Sequence, residues 1–162
     1  MRCTVVGAGV SGLTCAVKLL EAGHEVEVVS DKFSPDTVSD VAAAIWYPFL
    51  TAPANRSEPW GISTYSVLQG LARDEPESGV VMRDGREYLR EVVALPAWKD
   101  DIASFRVLEA NEIVQGYVFG WEFRAPVIEM HRYMPWLRSK VESMGGSRSE
   151  ERRVGKECRS RW

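Results

Sequence analysis

Residues 5–31 constrain this chain most. Val5-Val6-Gly7-Ala8-Gly9-Val10-Ser11-Gly12 leads into an amphipathic segment, and Glu25-Val26-Glu27-Val28-Val29-Ser30-Asp31 follows it. The order is strand, glycine turn, helix, second strand and terminal acid, with the turn spelled Gly-x-Gly-x-x-Gly. Gly7 permits a tight exit from the strand. Gly9 lets the backbone approach an anion with no Cβ in the way, and Gly12 lets helix and sheet close on one another. A pyrophosphate is favoured at the helix start, where unpaired N–H groups and the positive end of the helix dipole meet. Leu13, Ala16, Val17 and Leu20 recur at helical spacing while Lys18 and Glu21 fall off that stripe, so one face can lie on a sheet. Gly23 supplies a left-handed stop. Asp31 stands where a carboxylate accepts hydrogen bonds from ribose hydroxyls. The plainer alternative is a strand–turn–helix with no ligand; all four parts occurring together favour nucleotide binding.

The 162 residues are enough for one domain with a sizeable core. No apolar run approaches the roughly eighteen residues of a membrane span. Because the first strand begins almost at Met1, no secretory or organellar presequence is expected. Cys3 on the first strand and Cys15 on the first helix read as small buried thiols of a reducing compartment. Neither they nor His24 and His131 have the spacing of a metal site, and none is predicted.

After Asp31 a polar loop, Lys32-Phe33-Ser34-Pro35-Asp36-Thr37-Val38-Ser39-Asp40, leads to Val41-Ala42-Ala43-Ala44-Ile45-Trp46-Tyr47-Pro48. A nicotinamide-type domain would continue with a helix and a strand; here small residues run into two aromatics, and their backbone is open to a flat ring system or to close packing. Residues 59–73 read as a helix entered through a Pro-Trp turn. Short β-like runs follow at 80–82, 105–108 and 116–123, with Asp84-Gly85 and Ala110-Asn111 as turns. These imply an antiparallel sheet inserted before a helix at 132–144, whose Pro135 belongs in its first turn. Trp98, Trp121, Trp136 and Phe123 are expected in the core.

Gly145-Gly146 end that helix, and a β-branched parallel strand should come next. The following residues show no strand pattern. Residues 148–162 resemble the translated sequence of a short-read library adapter, so the native sequence is expected to end near Ser147. The tail holds six basic and three acidic residues, and without it the net charge moves from −3 to −6. Nucleic acid and anionic membrane are then poor partners. With only two parallel strands, the sheet would keep an unpaired edge.

The glycine motif, Asp31-Lys32-Phe33-x-Pro35, the run from Thr37 through Pro48, Pro76-Glu77-Ser78-Gly79-Val80, and Pro126-Val127-Ile128-Glu129-Met130-His131-Arg132-Tyr133-Met134-Pro135-Trp136-Leu137 together resemble the D-amino-acid oxidase family. The resemblance spans residues 1 to about 147 and is most specific over 37–48. It implies an α/β chain: an incomplete Rossmann-like FAD-binding domain with an inserted, partly antiparallel substrate-domain sheet. The first part of the FAD domain would occupy 1–75, the start of the substrate domain 76–125, the return helix 126–147 and the non-native tail 148–162.

The implied cofactor is FAD and the implied partners are a D-amino acid and oxygen. In the family reaction the α-hydrogen leaves as hydride, oxygen is reduced to hydrogen peroxide, and the imino acid hydrolyses to a 2-oxo acid and ammonia. By position, Gly7, Ala8, Gly9, Val10, Ser11 and Gly12 would cradle the pyrophosphate and Asp31 would hold the ribose. Lys32, Thr37 and Ser39 would meet phosphate and ribose oxygens, and the backbone at Ala43, Ala44 and Ile45 would line the flavin. Lys32 stands where the family often has arginine, Val38 replaces a hydroxyl residue and Ala44 replaces a glycine. Family members are much longer, and their substrate-binding arginine and tyrosines come from the half beyond this chain. No residue here is therefore assigned a catalytic role, and the chain alone is expected to be inactive. A glycine or sarcosine oxidase type, or a non-catalytic dinucleotide-binding fragment, stays open as the alternative. A cytoplasmic location is expected, with peroxisomal addressing and oligomeric state left open.

Overall fold

The computed structural model describes residues 1–49 and 51–150, and the chain divides into two units: Met1–Ala43 with the stretch from Met130 onward, and Ala44–Glu129. Along the chain the elements are β1 (Arg2–Val6), α1 (Val10–Glu21), β2 (Glu25–Ser30), α2 (Ala54–Asp74), β3 (Val80–Leu89), β4 (Phe105–Val107), β5 (Phe119–Ile128), α3 (Met130–Ser143) and β6 (Ser147–Glu150). It is an α/β fold with one parallel and one antiparallel sheet. The sequence places boundaries after residues 75, 125 and 147; the units divide after Ala43 and Glu129, and α2 belongs to the second.

In the first unit three parallel strands stand in the order β1-β2-β6. Val5 is opposite Val28, and Val28 is opposite Arg148. β1 joins β2 through α1, and the chain returns to β6 through α3 after the second unit, an order that starts a doubly wound sheet. Leu13, Ala16 and Val17 of α1 are buried, as are Met130, Tyr133, Met134, Leu137 and Val141 of α3. Gly23 adopts φ +77°, the stop foreseen for α1.

The third parallel strand exists: Ser147–Glu150 pairs with β2 although its sequence has no strand pattern. Backbone groups on the free edge of β2 supply that ladder whatever the side chains, so pattern was the wrong guide. The part of the presumed tail at 151–162 lies outside the described residues. The last helix begins at Met130, which makes Pro135 an interior residue. Its buried stripe starts two residues before the predicted start, and that packing outweighs one missing helical hydrogen bond. Cys15 is exposed and Cys3 half-buried, so neither is the buried thiol expected.

In the second unit the antiparallel order is β3-β5-β4. Asp84-Gly85 is no turn: β3 runs straight through it, with Gly85 opposite Phe123. The Phe123 ring lies over the glycine, 3.5 Å from where a Cβ would stand, and fills the space a side chain would have used. The helix predicted at 59–73 starts instead at Ala54 and carries Pro59 inside it. Hydroxyls of Ser57 and Thr64 bond back to the carbonyls of Pro53 and Trp60 in this stretch.

The two faces of this sheet differ. On one, Arg86 and Arg106 both reach Glu122, at 2.7 and 3.1 Å, and Arg106 also holds Glu112. That hydrogen bond from Arg106 brings the Glu112 carboxyl down to about 2. The ladder is solvent-exposed and adds little stability. The other face is aromatic: Trp98, Trp121 and Phe123 are buried as expected, and Trp98 lies edge-on to Trp46, Phe105 and Phe123. Trp136 departs from the expected core; it is half-buried under the Lys140 ammonium, 4.7 Å from the ring centre.

Leu13→Ala, which empties a site only 1% exposed, should cost about 2–5 kcal/mol in urea denaturation. Lys18→Ala, at an exposed ion pair, should stay within about 0.5 kcal/mol.

Candidate functional site

The glycine turn is closed by contacts only glycine permits. A Cβ on Gly12 would lie 2.0 Å from the Gly7 carbonyl oxygen, and Gly7 itself adopts φ +101°. The Gly7 N–H donates to the Val29 carbonyl at 2.7 Å, which ties the turn to β2. Gly9 caps α1 with no side-chain cap, and the first intrahelical bond is Leu13 N–H to Gly9 O at 3.0 Å. The N–H groups of Val10, Ser11 and Gly12 thus fall in the first turn, where the helix has no acceptors for them. That turn carries no acidic residue, so the positive end of the helix dipole is not neutralised locally.

Ser39 completes this concavity. Its Oγ accepts a hydrogen bond from the Val10 N–H at 3.0 Å and lies 3.1 Å from the place a Gly9 Cβ would take. The sequence reading singled out both residues, and the fold brings them together. It missed Ser30, whose hydroxyl accepts from the Ala8 N–H at 3.2 Å and donates to the Lys32 carbonyl at 2.7 Å. A small hydroxyl residue at a strand end, just before the acid, was the available signal.

The loop after β2 is organised by Asp40. Its carboxylate accepts from Ser34 Oγ at 2.5 Å, from Thr37 Oγ1 at 2.5 Å and from the Thr37 N–H at 3.0 Å. Partial burial works to raise the Asp40 pKa, but the Ser34 and Thr37 hydrogen bonds outweigh it and hold the carboxyl below its usual value. Arg138 of α3 donates to the Ser34 carbonyl at 3.1 Å. The Thr37 hydroxyl therefore points its proton into the loop. Val38, which stands where the resemblance has a hydroxyl, is 86% exposed. Asp31 and Lys32 line a cleft of about 520 Å³ with Phe33, Ser34, Asp36, Arg148 and Ser149. Ala43 closes the first unit and is exposed, while Ala44 and Ile45 open the second. There the Ala44 carbonyl accepts from the Ile128 N–H at 2.9 Å.

A parallel βαβ start, a glycine turn sealed by its own carbonyl and a helix opened by a glycine with no side-chain cap of its own define the class of dinucleotide-binding α/β proteins. The family model described as FAD dependent oxidoreductase matches residues 2–158, and the chain belongs to that family. It is 40% identical to a D-amino-acid oxidase of Rubrobacter xylanophilus over 147 residues, 90% of this chain and 45% of the relative. It is 34% identical to the D-aspartate oxidase of Homo sapiens, over 90% of this chain and 46% of that protein. The chain thus spans about half the length of these relatives. A glycine oxidase structure from Geobacillus kaustophilus matches at TM-score 0.69 and 14% identity, over 91% of this chain and 45% of that one, which shows the shared fold.

The residues present fit the family's FAD: Gly7, Gly9 and Gly12 put no side chain of their own on the turn, and with the Val10 N–H held by Ser39 the following N–H groups of the helix start suit a diphosphate. Among the described residues no group of three or more His, Cys, Asp or Glu is arranged to hold a metal. No helix among them is long and apolar enough to cross a membrane.

Gly12→Ala should destabilise the first unit by about 1–3 kcal/mol, read by denaturation, because backbone must move to admit the methyl group. Asp40 stabilises the fold fully above its ordinary value of 3.8 and loses that effect as pH falls through the lower folded-state value. The stability difference between wild type and Asp40→Asn should therefore be largest near neutrality and shrink in melts taken below that value.

Proposed function

We propose that this chain is the FAD-holding amino-terminal part of a D-amino-acid oxidase, which deaminates D-amino acids oxidatively with oxygen as acceptor. The observation that carries the reading is the sealed glycine turn at the start of α1, an anion seat built from backbone alone. Identity to proteins named D-amino-acid oxidase and D-aspartate oxidase supports the substrate class.

In this reading Gly7, Ala8, Gly9, Val10, Ser11 and Gly12 surround the pyrophosphate. N–H groups of the first helical turn donate to its oxygens. Asp31, at the end of β2, accepts from the adenosine ribose hydroxyls. The Lys32 ammonium adds charge without the planar fork an arginine would give. Ser39 offers a hydroxyl beside the turn, Thr37, whose hydroxyl proton goes to Asp40, can meet the cofactor only as an acceptor, and the backbone of Ala43, Ala44 and Ile45 lines the flavin. Bound FAD supplies the redox chemistry, taking two electrons from the amino acid and returning them to oxygen. The groups that hold the substrate carboxylate belong to the remainder of the full-length protein, so this chain alone turns over no amino acid. Free thiols at Cys3 and Cys15 agree with a reducing, cytoplasmic setting. Residues 148–162 are read as foreign to the native protein, and Arg148 and Ser149 then have no part in nucleotide binding.

The test is anaerobic mixing of the full-length protein with substrates while visible flavin absorbance is followed. D-amino acids should bleach it and glycine or sarcosine should not; the reverse pattern would move the protein to the glycine oxidase type. In the same protein Gly9→Val should abolish FAD retention, because the added methyls stand between the backbone and the diphosphate. Stoichiometric flavin in that variant would remove the seat from α1.

A further inference from the structure

Residues 44–47 form an extra antiparallel rung on β5. The Ile128 N–H donates to the Ala44 carbonyl and the Trp46 N–H to the Pro126 carbonyl, both at 2.9 Å, with Ile45 bridged to Val127. Trp46 is then buried: its ring lies 4.9 Å from Tyr65, and its Nε1–H donates to the Gly61 carbonyl at 2.7 Å. Tyr47 places its ring 5.7 Å from Trp98 and 5.6 Å from Phe123, and its hydroxyl donates to the Glu87 carboxylate.

Glu87 is out of place on this sheet face. It is opposite Trp121 in the β3–β5 register and so shares a face with that buried ring. Glu87 is half-buried there, and a carboxylate beside aromatic rings gives up part of its hydration, a loss that a hydrogen bond offsets. Packing alone would be served better by an apolar residue there. What the pair adds is direction: the Tyr47 ring could slide along the aromatic face, but a hydroxyl bonded to one carboxylate cannot. Burial and the Glu87 carboxylate also push the Tyr47 phenol above its ordinary pKa, which keeps the donor proton in place.

We propose that Tyr47 and Glu87 form a positioning latch that holds residues 44–47 in register on β5 and thereby sets where the Ala44 and Ile45 backbone meets the flavin. The proposal rests on the reading given under Proposed function. Tyr47 and Glu87 are positioning residues, acting through the backbone two and three residues earlier.

Two measurements test it. On the 162-residue chain, amide hydrogen exchange is followed at Trp46 and Ile128 in wild type, Tyr47→Phe, Glu87→Leu and Glu87→Gln. Loss of a hydrogen bond to a charged group should speed exchange at these two amides about tenfold in Tyr47→Phe and Glu87→Leu, with the β3–β5 and β1–β2 ladders unchanged. Glu87→Gln, which keeps an acceptor, should stay close to wild type. Unchanged rates in Tyr47→Phe, or equal acceleration throughout the β3–β5 ladder, would overturn the latch. On the full-length protein loaded with FAD, Tyr47→Phe should shift the visible flavin spectrum and weaken FAD binding about tenfold, with Glu87→Gln again near wild type. Wild-type spectrum and affinity in Tyr47→Phe would overturn the link to the flavin. Failure of the wild-type protein to bind FAD at all would sink the functional reading and that link with it, while the exchange result would still decide the latch.

Discussion

The approach of Gly12 to the Gly7 carbonyl is the contact on which the rest of the first unit depends. With no side chain at Gly12, the start of α1 can sit against the turn that leaves β1, and the first-turn N–H groups fall at the carboxyl end of the strands. Any Cβ there would push helix from strand and tilt the buried stripe of Leu13, Ala16 and Val17 off the sheet. The same contact therefore sets both packing and chemistry. In the proposed reading the anion seat is made from backbone and needs no charged side chain, so its affinity would come from geometry that the core enforces.

Around that contact the polar residues serve two purposes. Ser30 and Asp40 hold loops in shape, one by bridging Ala8 to Lys32 and the other by gathering Ser34 and Thr37. Ser39 accepts a helix N–H directly. The Thr37 hydroxyl donates to Asp40. A threonine used this way fixes the loop.

The second unit follows a different rule. Its sheet keeps charges on one face, in the Arg86, Arg106, Glu112 and Glu122 ladder, and rings on the other. Glu87 breaks that division, and its partner Tyr47 ends the segment that carries Ala44 and Ile45. Departures of this kind, a polar pair where apolar packing would be simpler, are where structure tends to serve function.

The sequence by itself determined the βαβ start, the glycine turn and the terminal acid, because each rests on local periodicity and on backbone freedom that only glycine has. It also carried the family resemblance and with it the expectation of FAD. Tertiary structure alone decided the rest. The strand at Ser147–Glu150 forms because the edge of β2 offers hydrogen bonds to any backbone, and Asp84-Gly85 stays extended because Phe123 lies over the glycine. Pro135 sits inside a helix because a buried stripe outweighs one lost bond. The pairing of Tyr47 with Glu87 spans forty residues, and no local pattern encodes so distant a partner.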